Sequence, residues 1–330
     1  MPTDIPQTMK SAVLIGFGGP DVVQIASRPV PSIKPDQVLV RTLAATVNSG
    51  DARIRAKNVP RGFGPVMSLV FGFNTPRIQI LGTAFAGEIV AVGETAQGYQ
   101  VGDRVFGSTE MKMGTHAEYI AINSNAALSH VPSELSPEDA VSLVFGSTTA
   151  MYFSQKTALR QGERILINGA AGSVGIALTQ IAHAQGAHVT AVASARNHAF
   201  LKKLGANACI DYTTTNLSGL DETFDIIADC PGTLPYSGHR HLLVKGGRFA
   251  LITGTLADTL KAPLQSAIGP HKIIGGTALA TNSSMAELTR LVSSGTLTPI
   301  IDKTFAFDDI QSAYAHVDTG HKRGNVVLTF

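Results

Sequence analysis

The chain has 330 residues and a mass of 34.5 kDa, the size of about two domains. Apolar residues make up 44% of it, charged residues only 15%, and the mean hydropathy is +0.16, so a large buried core is expected. This composition excludes a disordered, collagen-like or coiled-coil protein. The net charge is +2 and no long basic run is present, so nothing indicates a nucleic-acid groove.

The chain carries two cysteines, Cys209 and Cys230, and neither belongs to a C-x-x-C pair. We interpret them as reduced thiols of a cytoplasmic protein, and their number excludes a four-cysteine zinc lobe. No positively charged stretch followed by an apolar one opens the sequence, so no secretory signal is predicted. Residues 165–195 contain no charged residue, but glycines and polar residues interrupt them, which indicates a buried sheet and not a membrane span.

The first third of the sequence predicts short strands joined by turns. Apolar or alternating segments are separated by Gly, Pro and Asp, the residues that favour turns. They lie at 12–15, 38–43, 86–92 and 118–122. This pattern predicts an all-β, partly barrel-like domain.

The pattern changes at Ser136-Pro137-Glu138-Asp139, where a hydroxyl cap, a proline and two carboxylates predict the start of a helix. Strands then alternate with helices such as 174–185 and 197–204, which calls for a doubly wound parallel sheet. The predicted strands are 164–168, 189–193, 208–211, 225–230, 248–253 and 273–276. A helix at 283–294 and a strand at 325–329 are expected to return the chain to the first domain. The predicted α/β protein therefore has a mainly β domain, 1–135 completed by 283–330, and a nucleotide-type domain, 136–282.

A glycine-rich loop, Asn168-Gly-Ala-Ala-Gly-Ser-Val-Gly175, follows the strand at 164–168 and precedes a helix. Small residues let the backbone approach a pyrophosphate, and the N–H groups at the helix start hold its charge. We expect Gly172, Ser173 and Val174 to supply those contacts. The strand-turn-helix context predicts dinucleotide binding, although a tight strand-helix crossing also explains a glycine trio.

The end of the next strand indicates which dinucleotide binds. NAD-selective sites place an acid there, about 20 residues after the loop, to bind the ribose hydroxyls. This sequence has Ser194 and Arg196 at that point and no acid. A hydroxyl and a guanidinium suit a 2′-phosphate, so NADPH is predicted, although Arg196 is also a typical exposed residue at a helix start.

Several motifs together resemble the medium-chain dehydrogenase/reductase superfamily, and within it the zinc-independent quinone oxidoreductase branch similar to zeta-crystallin. The resemblance covers essentially the whole chain and implies a GroES-like catalytic domain with an inserted Rossmann domain. It rests on Val47-Asn48-Ser49-Gly50-Asp51, Gly82-x4-Gly87-x5-Gly93, Gly102-Asp103-Arg104-Val105, Gly114-x-x-Ala117-Glu118-Tyr119, Thr149-Ala150, the loop at 170–175, Leu204-Gly205-Ala206 and Ile210-Asp211-Tyr212.

The resemblance also implies that no catalytic metal binds. Zinc-dependent relatives carry a cysteine where Asn48 stands and a His-Glu pair where Thr83 and Ala84 stand. Amide, hydroxyl and methyl groups cannot form the thiolate and imidazole shell that zinc requires. Zinc alcohol dehydrogenase chemistry is therefore not expected.

By the same resemblance, further positions line the cofactor site. Asn48 and Thr149 are expected near the nicotinamide and its ribose, and Ser194 and Tyr212 near the 2′-phosphate. His321 and Arg323 are expected either to close over the cofactor or to form a solvated turn. Relatives usually have a lysine where Asn325 stands, so that contact is expected to differ here.

Two other polar residues are candidates for chemistry. His116 lies in Gly114-Thr-His-Ala117, and we interpret it either as a proton donor or, in preference, as a half-buried loop histidine. Asp51 is interpreted as a capping or packing acid in preference to a general base. Asn48 is the residue expected to orient the substrate oxygen or the ribose.

Together these observations predict an NADPH-dependent, metal-free oxidoreductase that transfers hydride to a small apolar quinone or α,β-unsaturated carbonyl. Two alternatives remain: a reductase of aldehydes or enoyl thioesters, and a non-enzymatic NADPH-sensing protein. A homodimer is expected, formed through an apolar edge strand near 273–278. The segment from about 56 to 73 is expected to shape the apolar mouth of the substrate pocket.

Overall fold

The computed structural model describes residues 5–330, which form fifteen strands and nine α-helices. The strands are β1 (Thr8–Leu14), β2 (Val23–Pro29), β3 (Gln37–Thr46), β4 (Ala84–Val92), β5 (Arg104–Ser108), β6 (Tyr119–Asn123), β7 (Ala127–His130), β8 (Arg164–Asn168), β9 (His188–Val192), β10 (Ala208–Ile210), β11 (Phe224–Asp229), β12 (Leu243–Leu251), β13 (Lys272–Ile274), β14 (Ile301–Ala306) and β15 (Asn325–Thr329).

The helices begin where the local sequence can satisfy free N–H groups. Asn48, Thr255 and Thr281 each cap a helix in a reciprocal capping box, and Ser136 Oγ accepts from the Asp139 N–H at 3.0 Å. The helices are α1 (Ser49–Ala56), α2 (Gly64–Phe71), α3 (Pro137–Thr157), α4 (Ser173–Ala184), α5 (His198–Lys203), α6 (Tyr236–His239), α7 (Leu256–Ile268), α8 (Asn282–Ser293) and α9 (Ile310–Asp318).

Contacts divide the chain into two compact units. The β unit contains the described residues through Val59, Gly64–Phe145 and Leu279–Phe330. The parallel-sheet unit contains Pro60–Phe63 and Gly146–Ala278. Each unit has its own sheets and its own apolar core, as expected for a chain of this length.

The parallel-sheet unit contains six parallel strands in the order β10-β9-β8-β11-β12-β13. This is the doubly wound order in which two mononucleotide-binding halves meet beside the first strand. Leu166, Ile227 and Phe249 belong to its buried core. The carboxyl ends of β8, β9 and β10 therefore lie side by side at one edge of the sheet, where ligands bind in folds of this type.

The β unit contains a seven-stranded sheet and a separate hairpin. The larger sheet follows the order β14-β15-β3-β4-β5-β7, with β6 paired to β3, and β1 pairs with β2. Its neighbours are antiparallel except for the parallel pair β14 and β15. One apolar core includes Phe71, Tyr314 and Leu328, and a second includes Val40 and Phe85.

The predicted fold class is confirmed, including all six strands of the parallel sheet. The strand at 164–168 is found with the predicted bounds, and the largest difference is β12, which begins at Leu243 instead of 248. Glycines at 246 and 247 hid that earlier start, because glycine is disfavoured in strands.

The expectation of an all-β first domain was wrong. Helices α1 and α2 lie between β3 and β4. Helix α1 begins at a capping box between Asn48 and Asp51 that the sequence shows once the helix is known. Helix α2 is almost wholly apolar, so it carries no helical periodicity in its hydrophobic pattern.

Candidate active site

The glycine-rich loop joins β8 to α4 as predicted. The first hydrogen bond of α4 runs from the Ile176 N–H to the Gly172 carbonyl at 2.9 Å. The N–H groups of Ser173, Val174 and Gly175 therefore precede the helical ladder, at the positive end of the helix dipole. The Gly172 N–H donates to the Gly169 carbonyl at 3.1 Å, so the loop itself uses that donor.

The three glycines of the loop serve different purposes. A Cβ at Gly175 would lie 2.3 Å from the Gly169 carbonyl oxygen, so the helix start crosses directly over the loop. Gly169 has a φ of +72° and packs against Pro231. A Cβ at Gly172 would meet nothing nearer than 3.5 Å, so this residue keeps space open in front of the helix start. Open space, small residues and N–H groups fit a dinucleotide pyrophosphate.

A buried carboxylate that sequence reasoning missed fixes the loop. Asp229, at the end of β11 and 1% exposed, accepts from Asn168 Nδ2 at 2.8 Å and from the Leu234 N–H at 2.8 Å. Asn168 Nδ2 also donates to Thr233 Oγ1 at 2.9 Å. Burial raises the pKa of Asp229, and its hydrogen bonds oppose that shift. The network links the start of the phosphate loop to the loop after β11.

The residues predicted to bind the 2′-phosphate lie at neighbouring strand ends. Ser194 and Arg196 follow β9, and Tyr212, 50% exposed, follows β10. Asp211 accepts from the Ala195 N–H at 3.2 Å, which ties these two strand ends together. Thr213 donates to the same carboxylate through its N–H at 2.9 Å and its hydroxyl at 2.8 Å, and these bonds lower the pKa of Asp211.

In the β unit, Asn48 lies at the start of α1 and is 3% exposed. Its Oδ1 accepts from the Gly50 N–H at 2.8 Å and the Asp51 N–H at 3.1 Å, and its Nδ2 donates to Thr83 Oγ1 at 3.0 Å. One amide hydrogen remains for a ligand. Thr83 is the second functional candidate that motif reasoning did not select, although it stands at a position where zinc-dependent relatives hold metal.

Asp51 completes the cap of α1, which confirms its interpretation as a capping acid. Its Oδ2 accepts from the Asn48 N–H at 2.9 Å, and the side chain is fully buried. Burial raises the pKa of Asp51 to about 7, against the opposing effect of the Asn48 and Gly82 N–H groups. This carboxyl group is therefore much more easily protonated than an exposed aspartate.

His116 is 1% exposed, so its interpretation as half-buried was wrong. Its Nε2 lies 3.0 Å from the Thr46 carbonyl oxygen, which only accepts, so Nε2 carries the hydrogen. Tyr314 Oη then donates to Nδ1 at 3.4 Å. Burial lowers the pKa of His116 to about 4, and the imidazole is neutral near pH 7. A Cβ at Gly82 would lie 2.5 Å from the ring, so glycine allows this close packing.

The remaining predicted residues lie elsewhere in their units. Thr149 is half-buried on α3. His321 and Arg323 are exposed in the turn between α9 and β15. Asn325 is 7% exposed and donates to the Ile300 carbonyl at 3.1 Å, so its side chain is committed to the β unit.

No three His, Cys, Asp or Glu side chains within residues 5–330 are placed to hold a metal ion. Asn48 and Thr83, two of the positions where the resemblance implies metal ligands in zinc-dependent relatives, are instead joined by a hydrogen bond. An amide and a hydroxyl do not fit zinc.

Two protein families match this sequence. Residues 34–133 match the alcohol dehydrogenase GroES-like domain. Residues 204–328 match the family described as zinc-binding dehydrogenase. Both matches agree with a mainly β unit and a parallel-sheet unit in one chain.

Individual proteins are similar over nearly the full length. The chain is 30% identical to 2-methylene-furan-3-one reductase of Solanum lycopersicum, covering 98% of this chain and 80% of that protein. It is 28% identical to the chloroplastic NADPH-dependent alkenal/one oxidoreductase of Arabidopsis thaliana, again covering 98% and 80%. The solved structure of the quinone oxidoreductase from Coxiella burnetii superposes with a TM-score of 0.86 at 27% identity, covering 98% and 99% of the two chains.

Proposed function

This chain belongs to the medium-chain dehydrogenase/reductase superfamily, in its zinc-independent quinone-oxidoreductase-like branch, and we propose that it is an NADPH-dependent reductase of quinones or α,β-unsaturated carbonyls. The observation that carries the proposal is the glycine loop, whose open space at Gly172 lies in front of the start of α4. We assign cofactor binding to residues 136–282, and catalysis to residues 1–135 completed by 283–330.

Bound NADPH would supply a hydride for the electron-poor carbon of the substrate. The start of α4 would hold the pyrophosphate through main-chain N–H groups. Asn48 has an amide hydrogen available to orient a substrate oxygen or the ribose, and Thr149, His321 and Arg323 are assigned to the cofactor. Catalysis would rest on positioning and on hydrogen bonds to the developing oxyanion.

The enzyme uses a nicotinamide cofactor, and we assign NADPH in preference to NADH. Ser194, Arg196 and Tyr212 supply two hydroxyls and a guanidinium at neighbouring strand ends, as a 2′-phosphate requires. Asp211 accepts from the Ala195 and Thr213 N–H groups. It follows β10 and not β9, the strand at whose end NAD-selective sites place their acid.

A single titration tests the proposed function. NADPH and NADH are each titrated into the protein and followed by nicotinamide fluorescence, and 1,4-benzoquinone or an enone is then added. We expect tighter binding of NADPH, followed by acceptor-dependent oxidation. Binding without turnover on any acceptor would favour an NADPH-sensing protein, and turnover only with aldehydes or enoyl thioesters would favour the alternative reductases. No binding of either nucleotide would refute the proposal.

We further propose a homodimer, formed through β13 and α7 of the parallel-sheet unit. Strand β13 lies at the edge of its sheet, and α7 exposes Leu260, Leu264 and Ile268 by 70%, 64% and 79%. A second copy would cover both features through a two-fold interface. Light scattering should give twice the chain mass, and Leu264→Asp should give the monomer, whereas Val101→Asp in the β unit should not.

We place the enzyme in the cytoplasm. Cys209 and Cys230 are both free thiols, which persist in reducing compartments. No helix within residues 5–330 is long and apolar enough to cross a bilayer. Cell fractionation with an antibody against the chain tests this location.

A further inference from the structure

Helix α2 turns apolar side chains to the solvent. Val66, Leu69, Val70 and Phe73 are 49%, 64%, 43% and 61% exposed. Val66, Leu69 and Val70 lie three and four residues apart on α2, so they share one face of the helix, and Phe73 follows two residues after the helix ends. We call these four exposed residues the α2 face. Ser68 and Phe71 are buried on the opposite side.

Such a face is unusual for a helix at the surface of a globular domain. Surface helices normally turn charged residues outward, yet α2 contains no charged residue at all. Contiguous exposed apolar residues mark a surface that binds something. The α2 face therefore differs from the singly exposed apolar residues Val101 and Met111 of the same unit.

Two cations border the α2 face and are held there by its own backbone. Arg77 Nη1 donates to the Leu69 carbonyl at 2.8 Å, and Lys57 Nζ donates to the Phe73 carbonyl. Lys57 Nζ also lies 5.1 Å from the centre of the Phe17 ring. Both basic side chains are therefore held beside the apolar residues of the α2 face.

Acidic residues are missing from this part of the sequence. Residues 52–87 contain five basic residues and no Asp or Glu. One of the five, Arg55, is buried and paired with Asp318, at 2.6 Å and outside this segment, so four basic residues of the segment lie outside that ion pair. The surface is thus apolar at its centre and positive at its border.

We propose that the α2 face docks the protein onto an anionic lipid bilayer. Apolar side chains would enter the boundary between headgroups and acyl chains, and Lys57 and Arg77 would contact lipid phosphates. A second copy of this chain is a poorer occupant, because each copy would bring Lys57 and Arg77 to the contact and residues 52–87 offer no acidic residue to pair with them. A helix of eight residues would lie in the plane of the surface and would not span the bilayer.

The test uses the full chain and vesicles of phosphatidylcholine, with and without phosphatidylglycerol. We expect flotation with the anionic vesicles to exceed that with neutral vesicles at least about tenfold, and to weaken with added salt. Leu69→Ser/Phe73→Ser should abolish it, and Lys57→Gln/Arg77→Gln should remove the preference for anionic lipid. The matched controls Val101→Ser/Met111→Ser and Lys34→Gln/Lys112→Gln should bind like the parent.

Because the chain contains no tryptophan, Phe73→Trp supplies a single fluorescent reporter. Its emission should shift to the blue with anionic vesicles, whereas Val101→Trp should not respond. Thermal melting and NADPH titration of each variant show whether it is folded. This proposal is independent of the proposed reaction, since vesicle binding needs no turnover.

Three outcomes would overturn the inference. The first is equal binding of parent and α2 variants to anionic vesicles, or no binding by either. The second is a change of mass in light scattering for Leu69→Ser/Phe73→Ser, which would assign the face to an interface between copies. The third is a raised KM for a water-soluble quinone with unchanged vesicle binding, which would assign the face to substrate entry.

Discussion

In the parallel-sheet unit we assign ligand binding to main-chain N–H groups, at the start of α4 and beside the glycines of the preceding loop. The β unit instead holds a buried set of polar side chains, Asn48, Asp51, His116 and Tyr314. The first arrangement binds charge with groups that never titrate. The second sets protonation states by burial. We therefore expect cofactor binding by the parallel-sheet unit to vary little with pH, whereas the stability of the β unit should depend on the protonation of a few buried groups.

Two alanine substitutions in the glycine loop give the largest expected contrast. Gly175→Ala places a Cβ 2.3 Å from the Gly169 carbonyl oxygen, so we expect a loss of about 3 kcal/mol in the free energy of unfolding. Gly172→Ala meets nothing nearer than 3.5 Å, so stability should change by no more than about 1 kcal/mol. NADPH affinity should nevertheless fall, because the methyl group fills the space for the pyrophosphate. Urea denaturation and fluorescence titration measure both effects.

A Gly172→Ala protein that binds NADPH as tightly as the parent would contradict the assignment of the loop to the pyrophosphate. A Gly175→Ala protein of unchanged stability would contradict the close crossing of α4 over the loop.

The buried groups of the β unit predict two opposite effects of pH on stability. The pKa of Asp51 is raised from its ordinary value of 3.8 to about 7. The contribution of Asp51 to the free energy of unfolding is therefore full below pH 3.8 and is lost as the pH rises towards 7. The pKa of His116 is lowered from its ordinary value of 6.5 to about 4. The contribution of His116 to the free energy of unfolding is therefore full above pH 6.5 and is lost as the pH falls towards 4. For each group the free energy of unfolding changes by up to about 1.4 kcal/mol per pH unit, and between about pH 4 and 6.5 the two changes oppose one another.

Removing one of the two groups should therefore reveal how the other changes the free energy of unfolding with pH. Relative to the parent, Asp51→Asn should lose stability as pH falls from 6.5 to 4, and His116→Gln should lose it as pH rises from 4 to 7. Urea denaturation across this range measures both. Parallel pH profiles for the parent and both variants would show that the two groups are not buried as described.

A third prediction concerns the cofactor phosphate. Arg196→Asp should raise the KM for NADPH by about 10- to 100-fold, because a charge-assisted hydrogen bond contributes about 1.5–3 kcal/mol. The KM for NADH should remain the same or fall, since a carboxylate at this strand end suits ribose hydroxyls. Lys203→Asp makes the same change of charge on α5 and serves as the control. An equal rise for both cofactors would remove Arg196 from the 2′-phosphate site.

The sequence predicted the parallel-sheet unit well because its signals are local. The strand at 164–168, the glycine loop and the start of α4 are contiguous, and each is recognisable by itself. The β unit was harder because its polar contacts join distant segments. The separation is 70 residues between His116 and Thr46, and 198 between His116 and Tyr314. No local pattern marks Tyr314 as the partner of a histidine, and burial of His116 follows only from the folded core.

A smaller effect is expected at the hydrogen bond between Asn48 and Thr83. Two main-chain donors already fix Asn48 Oδ1, so the Thr83 hydroxyl, 3.0 Å from Nδ2, decides how firmly the other end of the amide is held. Thr83→Val should cost about 1 kcal/mol of stability, and kcat should fall several-fold while NADPH affinity stays unchanged. Thr83→Ser keeps the hydroxyl and should restore kcat.

Two substitutions of Asn48 separate its role as the cap of α1 from its proposed role in catalysis. Asn48→Ser keeps an oxygen that can cap α1, whereas Asn48→Ala removes the cap and should destabilise the protein by a further amount of about 1 kcal/mol. Both variants lack the amide hydrogen, so both should lose turnover and still bind NADPH. If Asn48→Ser turns over like the parent, the amide hydrogen has no part in the reaction. The hydrogen bond to Thr83 would then serve only to hold the start of α1 against the residue that directly precedes β4.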